Sequence, residues 1–276
     1  MQEGVTLVFA GGDRRMVTAA RSFASEGVTV LMTGFDRYGQ SAPGLQFVHQ
    51  LQRAIPRADG LILPLPYTQG GGILNAPFSE KQILLDTVFR LADKAKVICG
   101  GMLPEEDERY FDYYDEPMML RNADVTAEAA LVMAGEKMAG CLNGSSLLVV
   151  GYGRIGKRLA AKARALGCNV TVAARKDSDH ALIRMCGHRA VGFDQLTEVI
   201  SSADAVCNTV PAEVFSEKVM EKLPRDVPLI DLAGSITGSR VIRAPGLPGK
   251  YAPEAAGMIL AESLKHLLKR EGLLGS

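Results

Sequence analysis

Three glycines at a fixed spacing form the clearest functional pattern in this chain. They occur between an apolar run, residues 147–150, and a stretch of helical periodicity, residues 154–166. In such a strand-turn-helix unit the glycines allow a tight turn, the close approach of a pyrophosphate and close packing of the helix on the strand. The alternative is a glycine turn that binds nothing. The pattern predicts a dinucleotide site at Gly151, Tyr152, Gly153, Arg154, Ile155 and Gly156.

The residues after the second strand of this unit bear on which dinucleotide binds. NAD-selective units usually carry an acidic residue there, which hydrogen-bonds the ribose. In this chain the strand, residues 170–174, is followed by Arg175 and Lys176. A planar guanidinium and an ammonium group suit a 2′-phosphate. The sequence therefore predicts NADP, and NAD is the alternative if Asp177 acts as the ribose ligand.

Polar residues that follow later strands of the same half are candidates for chemistry. Asp231 follows a predicted strand, where its carboxylate could orient a reacting group or cap a loop. Lys250 and Tyr251 lie in the rigid segment 244–253 and could bind a carboxylate or relay a proton, or they could be ordinary exposed loop residues. We take these three as the candidate catalytic residues. The residues expected near the nicotinamide are Thr209, Val210 and Pro211.

The first half of the chain has a second glycine turn, at Gly11 and Gly12. Asp13 follows it, and its charge at a helix start would repel a dinucleotide phosphate. The two arginines after Asp13 suit the carboxylate of an anionic substrate, since an arginine fork matches a carboxylate; the alternative is a surface pair. The glycine-rich stretch 67–72 is expected to be a mobile lid or a flexible loop. The candidate substrate-binding residues are Gly12, Arg14, Arg15 and Tyr67.

The two halves of the chain resemble each other. Residues 5–32 parallel residues 146–173, and an Ala-Asp pair opens a later apolar strand in each half, at Ala58-Asp59 and Ala203-Asp204. Apolar strands that alternate with helices are typical of a parallel sheet covered on both faces. We therefore predict an α/β protein with two doubly wound, Rossmann-like parallel-sheet domains.

One predicted domain consists of two separate segments of the chain, and the other consists of a single segment. The first comprises residues 1–124 and a C-terminal helix at about 254–276, and it is expected to bind substrate or partner. The second, residues 125–253, is expected to bind NADP. A long helix at about 126–139 connects the halves, and the final helix is expected at about 253–270.

Composition excludes several classes of function. Lys+Arg and Asp+Glu balance at 31 each, and no run of one sign suggests nucleic acid or a membrane surface. The five cysteines are scattered without a C-x-x-C pair, and no metal-ligand spacing occurs, so we expect reduced thiols and no metal site. No apolar run suits a membrane span and the N-terminus has no secretory pattern, so we expect a cytoplasmic protein.

The chain resembles the A chain of dipicolinate synthase, a protein family found in spore-forming bacteria. The resemblance covers essentially the whole sequence, and its most distinctive part is A-P-G-L-P-G at 244–249, followed by Ala252-Pro253 and Gly257. Two stretches depart from it, Gly70-Gly71-Gly72 and Glu105-Glu106-Asp107-Glu108. The other matching segments are Gly11-Gly12-Asp13, Leu61-Ile62-Leu63-Pro64, Thr126-Ala127-Glu128, Gly151-Tyr152-Gly153-Arg154 and Asn208-Thr209-Val210-Pro211.

The resemblance implies a specific reaction. Hydroxy-tetrahydrodipicolinate would lose water and transfer two electrons to NADP, giving dipicolinate during sporulation, in the mother cell. The flavoprotein-like B chain of dipicolinate synthase would act with this protein, and the fold would resemble the two-domain 2-hydroxyacid dehydrogenases. We also expect the protein to form homo-oligomers.

Two alternative functions stay open at this point. One is another two-domain NADP dehydrogenase, of the shikimate or hydroxyacid type. The first type would carry a lysine-aspartate pair and the second a histidine near the last strand, and neither is evident. The other is a non-catalytic nucleotide-binding protein whose partner carries out the chemistry.

Overall fold

The apolar runs that precede the glycine turns form the central strands of two separate sheets. The computed structural model of the protein describes residues 4–40, 42–103 and 107–275. They belong to two compact units: the first is Met1–Met119 with Pro253–Ser276, and the second is Leu120–Ala252. Each unit has a six-stranded sheet with helices between its strands. The predicted fold class, an α/β protein with two doubly wound parallel-sheet domains, is confirmed.

The first unit contains a parallel sheet and a small antiparallel hairpin. Its strands are β1 (Thr6–Ala10), β2 (Thr29–Thr33), β3 (Gln46–Phe47), β4 (Gly60–Ile62), β5 (Thr68–Gly70), β6 (Ile73–Leu74), β7 (Val97–Gly100) and β8 (Tyr110–Asp112). The sheet has the order β3-β2-β1-β4-β7-β8, and β5 pairs with β6 in the hairpin. The strand order reverses between β1 and β4, which is the switch point where open α/β sheets bind ligands.

The second unit repeats this topology. Its strands are β9 (Ser146–Val150), β10 (Asn169–Ala173), β11 (Arg189–Val191), β12 (Ala205–Asn208), β13 (Leu229–Asp231) and β14 (Val241–Arg243). They form one sheet in the order β11-β10-β9-β12-β13-β14, with parallel pairs. Its switch point lies between β9 and β12.

Helices connect the strands in both units. They are α1 (Arg14–Ala24), α2 (Leu51–Ala54), α3 (Leu85–Leu91), α4 (Glu116–Lys137), α5 (Arg154–Ala165), α6 (Asp177–Met185), α7 (Leu196–Val199), α8 (Glu217–Lys222), α9 (Leu247–Tyr251) and α10 (Pro253–Arg270). Short 3₁₀ turns occur at Ile55–Arg57, Phe193–Gln195 and Ile200–Ser202. Within the described ranges, no helix has the length and apolar character needed to cross a membrane.

In both sheets, an aspartate side chain accepts a backbone hydrogen bond at the start of the first strand. The Asp59 carboxylate accepts the N–H of Thr6 at 2.9 Å, and the Asp204 carboxylate accepts the N–H of Ser146 at 2.7 Å. The repeated Ala-Asp pairs therefore hold the same backbone group in both units. The structural match differs by one residue from the match of the sequences, because Thr6 rather than Val5 corresponds to Ser146.

The connecting helix α4 begins well before the residues 126–139 that the sequence predicted. Asp115 Oδ1 accepts the N–H of Met118 at 2.9 Å and so caps the first turn. Pro117 lies in that turn, where a missing N–H costs nothing because such groups lack helical partners. The Asp-Glu-Pro sequence is thus a helix-start signal that the periodicity analysis missed.

The final helix α10 matches its predicted range and belongs to the first unit. Its face with Leu260, Leu264 and Leu268 is buried in the core of that unit. Gly257 allows α10 to approach α1 closely, since a Cβ there would lie 2.7 Å from the carbonyl oxygen of Arg15.

Most of residues 67–72 form the β5–β6 hairpin rather than a flexible loop, and the alternative of a mobile lid stays a prediction. Thr68 Oγ1 donates to the carbonyl of Ile73 at 2.8 Å across the turn. Residues 70–72 all have positive φ, which glycine adopts readily. Three successive glycines therefore serve a tight turn between paired strands.

The segment 244–253, which was expected to be rigid, is partly helical. It contains the short helix α9, which includes Lys250 and Tyr251. Gly246 precedes the helix with φ of +66°, and Pro248 occupies the first turn. Glycine and proline thus define the start of a helix here.

Candidate functional site

The glycine turn of the second unit connects β9 to α5 and packs against residues that follow β12. Gly151 has φ of +101°, a left-handed conformation that glycine adopts without strain. A Cβ at Gly151 would overlap Thr209 Oγ1 and lie 2.8 Å from Val210 Cγ2. A Cβ at Gly156 would overlap the carbonyl of Gly151. Close packing therefore requires both glycines.

Gly153 differs from these two glycines because its side-chain position is empty. No heavy atom of the described residues lies within 4 Å of a Cβ built there. Gly153 is the N-cap residue of α5, and no side chain in the described part of the protein caps this helix. An uncapped first turn carries N–H groups that need an acceptor, and it favours negative charge. The turn thus offers space beside a helix N-terminus, where the motif predicts the pyrophosphate.

The Tyr152 side chain of the motif packs towards α6 rather than standing free. Its Oη donates to Cys186 Sγ at 3.7 Å, and Lys157 Nζ lies 5.4 Å from its ring centroid. Burial and the nearby Cys186 thiol raise the pKa of Tyr152 to about 12. The phenol therefore stays neutral at physiological pH.

Arg175 and Lys176 lie between the end of β10 and the first turn of α6, and both are exposed. Neither side chain has a hydrogen bond or ion pair with another described residue. His180 Nε2 donates to the carbonyl of Ala174 at 2.8 Å, which ties α6 to this strand end. Asp177 lies in the first turn of α6, so a cationic and an acidic candidate for the ribose stand side by side.

Asp231, the last residue of β13, is fully buried. Its Oδ1 accepts a hydrogen bond from Asn208 Nδ2 at 2.9 Å. The carboxylate also accepts the backbone N–H groups of Ala233, Gly234 and Ile236 at 3.2, 3.1 and 2.8 Å. These bonds favour the alternative interpretation, in which Asp231 shapes a loop. A direct catalytic role for Asp231 stays a prediction.

The loop after β12 is fixed by the same network. Val210 donates its N–H to Asn208 Oδ1 at 3.1 Å, and its carbonyl accepts from Ser235 Oγ at 2.7 Å. Thr209 Oγ1 donates to the last carbonyl of β9 at 3.0 Å. Pro211 is exposed. The side chains of Asn208, Thr209 and Ser235 thus join the carboxyl ends of β9, β12 and β13.

From the sequence, Asn208 was expected near the nicotinamide and Ser235 in the ligand cleft, but neither was expected to fix these loops by hydrogen bonds. The available signal was a polar residue closing a strand whose residues are all buried. Asn208 also pairs in register with Asp231, so an amide and a carboxylate face each other on neighbouring strands. Only the strand register reveals this, since the two residues are distant in the sequence.

The candidates Lys250 and Tyr251 lie on α9 and are exposed, Tyr251 by 42%. Neither side chain has a hydrogen bond or ion pair to any residue that the structure describes. The structure therefore shows no contact that joins them to Asp231. Their catalytic roles stay predictions.

The glycine turn of the first unit is filled by residues of its own unit. The N–H of Gly12 donates to the carbonyl of Asn75 at 2.7 Å. A Cβ at Gly11 would lie 2.8 Å from the same oxygen and 2.9 Å from Leu74 Cδ2. The residues after the hairpin thus occupy the space above this turn. Gly12 is buried and its N–H has an acceptor, which argues against the predicted substrate contact through that group.

Asp13 and Arg15 form a compact pair at the start of α1. Asp13 is the N-cap and accepts the N–H of Arg15 at 3.0 Å. Arg15 Nε donates to both Asp13 carboxylate oxygens at 3.0 and 3.1 Å, and Nη2 donates to the carbonyl of Leu65 at 2.9 Å. Arg14 is exposed. Of the two arginines, Arg15 is the one held in place.

The remaining predicted site features are less constrained. Tyr67 is half-buried, and its carbonyl accepts the N–H of Asn75 at 2.9 Å. Glu105 and Glu106 of the acidic stretch lie outside the described residues. Among the residues that are described, no group of three or more His, Cys, Asp or Glu side chains is arranged to hold a metal ion.

Two family models match the sequence in succession. The N-terminal domain of the dipicolinate synthase A chain matches residues 6–118. The NAD-binding domain of the D-isomer-specific 2-hydroxyacid dehydrogenases matches residues 118–236. The second unit, with its open glycine turn, is therefore a nicotinamide dinucleotide-binding domain.

Similarity to known proteins extends over the whole sequence. The dipicolinate synthase A chain of Bacillus subtilis is 26% identical over 97% of this protein and 97% of its own length. The crystal structure of the Bacillus halodurans A chain has a TM-score of 0.84 at 26% identity, covering 97% of this protein and 99% of that structure. The structure of the Bacillus subtilis A chain gives 0.82 at 26% identity, covering 99% and 98%.

A more distant structure shares the fold alone. The transhydrogenase of Sinorhizobium meliloti has a TM-score of 0.70 at 16% identity, covering 98% of this protein and 94% of that structure. The N-terminal family match, the full-length relative and the two full-length structures all agree with the resemblance in the sequence. The protein is similar to the dipicolinate synthase A chains over nearly its whole length, and it is an NAD(P)-dependent oxidoreductase.

Proposed function

We propose that this protein carries out the NADP-dependent oxidation that yields dipicolinate. The observation that carries the proposal is the open glycine turn at Gly153, in a unit that matches an NAD-binding domain within a sequence similar to the dipicolinate synthase A chain throughout. The substrate is the hydroxy-tetrahydrodipicolinate intermediate. Loss of water gives a dihydro compound, and loss of a hydride and a proton from that compound gives dipicolinate.

NADP is the proposed cofactor, with NAD as the alternative. When bound, it supplies a nicotinamide ring that accepts a hydride. The turn from Gly151 to Gly156 binds the pyrophosphate. Arg175, with help from Lys176, binds the 2′-phosphate, because both side chains are exposed beside the end of β10 and no described residue engages them. The Asn208–Asp231 pair holds the loops at the carboxyl ends of β12 and β13 in place.

A small dicarboxylate is the proposed substrate class, and the first unit binds it. Arg15 supplies the cationic contact at the switch point between β1 and β4, since its guanidinium joins α1 to Leu65 after β4. The exposed Arg14 is a second candidate for the same charge.

A second protein takes part in the proposed reaction. The similar proteins are named as the A component of a synthase, and we assign the flavoprotein-like B chain as the partner, in the mother cell of a sporulating bacterium. Asp231 is buried with both oxygens engaged, and Lys250 and Tyr251 have no contact with other described side chains. These observations favour a division of labour in which the partner supplies acid–base groups.

The experiment that tests the proposal uses the purified protein with hydroxy-tetrahydrodipicolinate and each nicotinamide cofactor. Reduced nicotinamide is followed by absorbance and dipicolinate by chromatography, with and without the B chain. Formation of both products with NADP supports the proposal. Binding of NADP without turnover in either mixture would refute the oxidation and leave a nucleotide-binding protein without catalysis of its own.

A further inference from the structure

Two Asp-x-Arg sequences in the first unit adopt the same local geometry. In each, the aspartate accepts the backbone N–H of the arginine, at 3.0 Å for Asp13–Arg15 and 2.9 Å for Asp107–Arg109. In each, both carboxylate oxygens also accept from the arginine Nε, within 3.2 Å. The same local sequence thus accompanies a charge-assisted fork on the arginine in both places.

The two arginines differ in what the rest of the guanidinium does. Arg109 Nη1 donates to three backbone carbonyls, those of Ala92, Asp93 and Ala95, at 3.1, 3.1 and 3.3 Å. That arginine is fully used in holding the backbone after α3. Arg15 Nη2 donates to the carbonyl of Leu65, but Arg15 Nη1 has no partner among the described residues.

Arg15 Nη1 is also open to solvent. The Arg15 side chain is 18% exposed. The buried side-chain atoms that have no partner in the described ranges are Thr33 Oγ1 and His188 Nδ1. Arg15 Nη1 also has no partner but is not among these buried atoms, so it is accessible to solvent. A fixed cationic donor with an unused N–H pair is thus presented to the outside. Such a donor suits a carboxylate oxygen, and its fixed position reduces the conformational freedom lost on binding.

The position of this donor is where an open α/β sheet binds ligands. Arg15 lies in the first turn of α1 after β1, and Leu65 lies after β4, so their hydrogen bond crosses the point where the strand order reverses. The backbone donor that a glycine turn would offer there is already used, because Gly12 N–H bonds Asn75. Arg15 Nη1 is therefore a donor that stays available at this crevice.

We propose that Asp13 is a positioning residue that aims Arg15 Nη1 at one carboxylate of the substrate. The inference rests on the proposed function for the nature of the substrate. It changes the expected role of Asp13, from a charge that repels a dinucleotide to one that orients the substrate-binding arginine. Asp13 acts only through Arg15.

The test compares Asp13→Asn, Arg15→Ala and the double variant with the wild-type protein. Asparagine still caps a helix, so α1 keeps its first turn while the charged fork is lost. We expect KM for hydroxy-tetrahydrodipicolinate to rise about tenfold to a hundredfold in Arg15→Ala and about threefold to tenfold in Asp13→Asn, because charge-assisted contacts are lost or loosened. The double variant should match Arg15→Ala, and NADP affinity should stay unchanged in all three.

Binding of two probes supplies a second readout. Wild type should bind dipicolinate more tightly than pyridine-2-carboxylate, which lacks one carboxylate, and Asp13→Asn should narrow that preference. Asp107→Asn is the matched control, because it breaks the same kind of fork at Arg109, whose Nη1 is already bonded to backbone carbonyls. It should change the unfolding midpoint, but it should change neither KM for the substrate nor the preference for dipicolinate over pyridine-2-carboxylate. If Asp13→Asn does not fold, Arg15→Lys keeps the charge without the fork and should show the same rise in KM.

Two results would overturn the inference. One is a wild-type KM in Asp13→Asn, and the other is additive losses in the double variant. Failure of the proposed function gives a different pattern, because wild type itself would then neither turn over the substrate nor bind dipicolinate.

Discussion

The two units have the same strand order, but their glycine turns differ: neighbouring residues occupy the turn of the first unit, and the described residues leave the turn of the second unit open. In the first unit the carbonyl of Asn75 bonds Gly12, and the N-cap Asp13 places a carboxylate at the start of α1. In the second unit the N-cap is Gly153, and no described residue caps α5 with its side chain or occupies the space beside the glycine. The fold is therefore shared, while the capacity to bind a phosphate depends on what the protein itself leaves unoccupied.

The difference also changes which group recognises negative charge. A helix start without a cap can use its own N–H groups for a phosphate. A helix start capped by aspartate cannot, and in the first unit an arginine held by that aspartate carries the positive charge instead. The matching turns thus present an uncapped helix start in one unit and a fixed arginine in the other.

The largest expected effect comes from filling the empty space in the second unit. Gly153→Val places a Cβ where no heavy atom of the described residues lies within 4 Å, at a φ of −80° that valine accepts. We expect affinity for NADP and for NAD to fall at least about a hundredfold, because the pyrophosphate loses its path to the backbone. Calorimetric titration with both cofactors measures this.

Gly140→Val is the matched control for that substitution. Gly140 belongs to the same unit, is exposed, and also has no heavy atom of the described residues within 4 Å of a Cβ built on its backbone. It should leave both affinities unchanged. Equal losses in the two variants would mean that a valine damages the unit generally, and the comparison of the turns would then be wrong.

Gly156 is a second position at which the two glycine turns differ. A Cβ there would overlap the carbonyl of Gly151, whereas the matching residue of the first unit, Met16, carries a full side chain. Gly156→Ala should therefore lower the free energy of unfolding by about 1–3 kcal/mol through overpacking. Urea unfolding measures the effect, and an unchanged midpoint would show that the helix can move away without cost.

Arg175→Ala tests which nicotinamide cofactor the second unit prefers. Loss of a charge-assisted contact to the 2′-phosphate should weaken NADP about tenfold to a hundredfold, while NAD affinity should hardly move. Calorimetry with both cofactors gives the ratio. If wild type prefers NAD, or if the variant weakens both equally, Asp177 becomes the ribose ligand to test.

The smallest effect concerns pH and the second unit. His188 is buried with no partner for Nδ1 in the described ranges, and burial together with Arg164 lowers its pKa below 6.5. The unfolded state then binds the proton more readily, so this contribution to stability is present above about pH 6.5 and is lost as the pH falls below it.

His188→Gln should flatten that dependence of the free energy of unfolding on pH between about pH 7.5 and 5.5. Replacing the exposed His266 by Gln is the control and should leave the dependence as in wild type. Urea titrations at both pH values make the measurement. A wild-type slope in His188→Gln would assign the acid sensitivity to other groups.

Local patterns were enough to predict much of the fold. The strand-turn-helix unit around Gly151, the range of α10 and the repeated Ala-Asp pairs all followed from periodicity and spacing. The connecting helix began earlier than predicted because Asp115 and Pro117 form a start signal that carries no apolar periodicity.

Contacts between distant segments could not be predicted in the same way. Nothing near Gly12 in the sequence shows that Asn75 will bond it, and the Asn208–Asp231 pair depends on the register of two strands. Asp13 is a different case, because its partner Arg15 is only two residues away; the sequence analysis considered only the charge of Asp13 at a helix start and not its hydrogen bonds. The glycine turn between β9 and α5 was thus predicted from the sequence, but the hydrogen bonds around it were not.

The position of α10 has a consequence for how the protein is made. Its Leu260, Leu264 and Leu268 are buried in the core of the first unit, although the whole second unit precedes them in the sequence. During synthesis all the strands of the second unit leave the ribosome before α10 does. The nucleotide-binding unit can therefore fold first, and the unit whose synthesis begins earlier completes its core last.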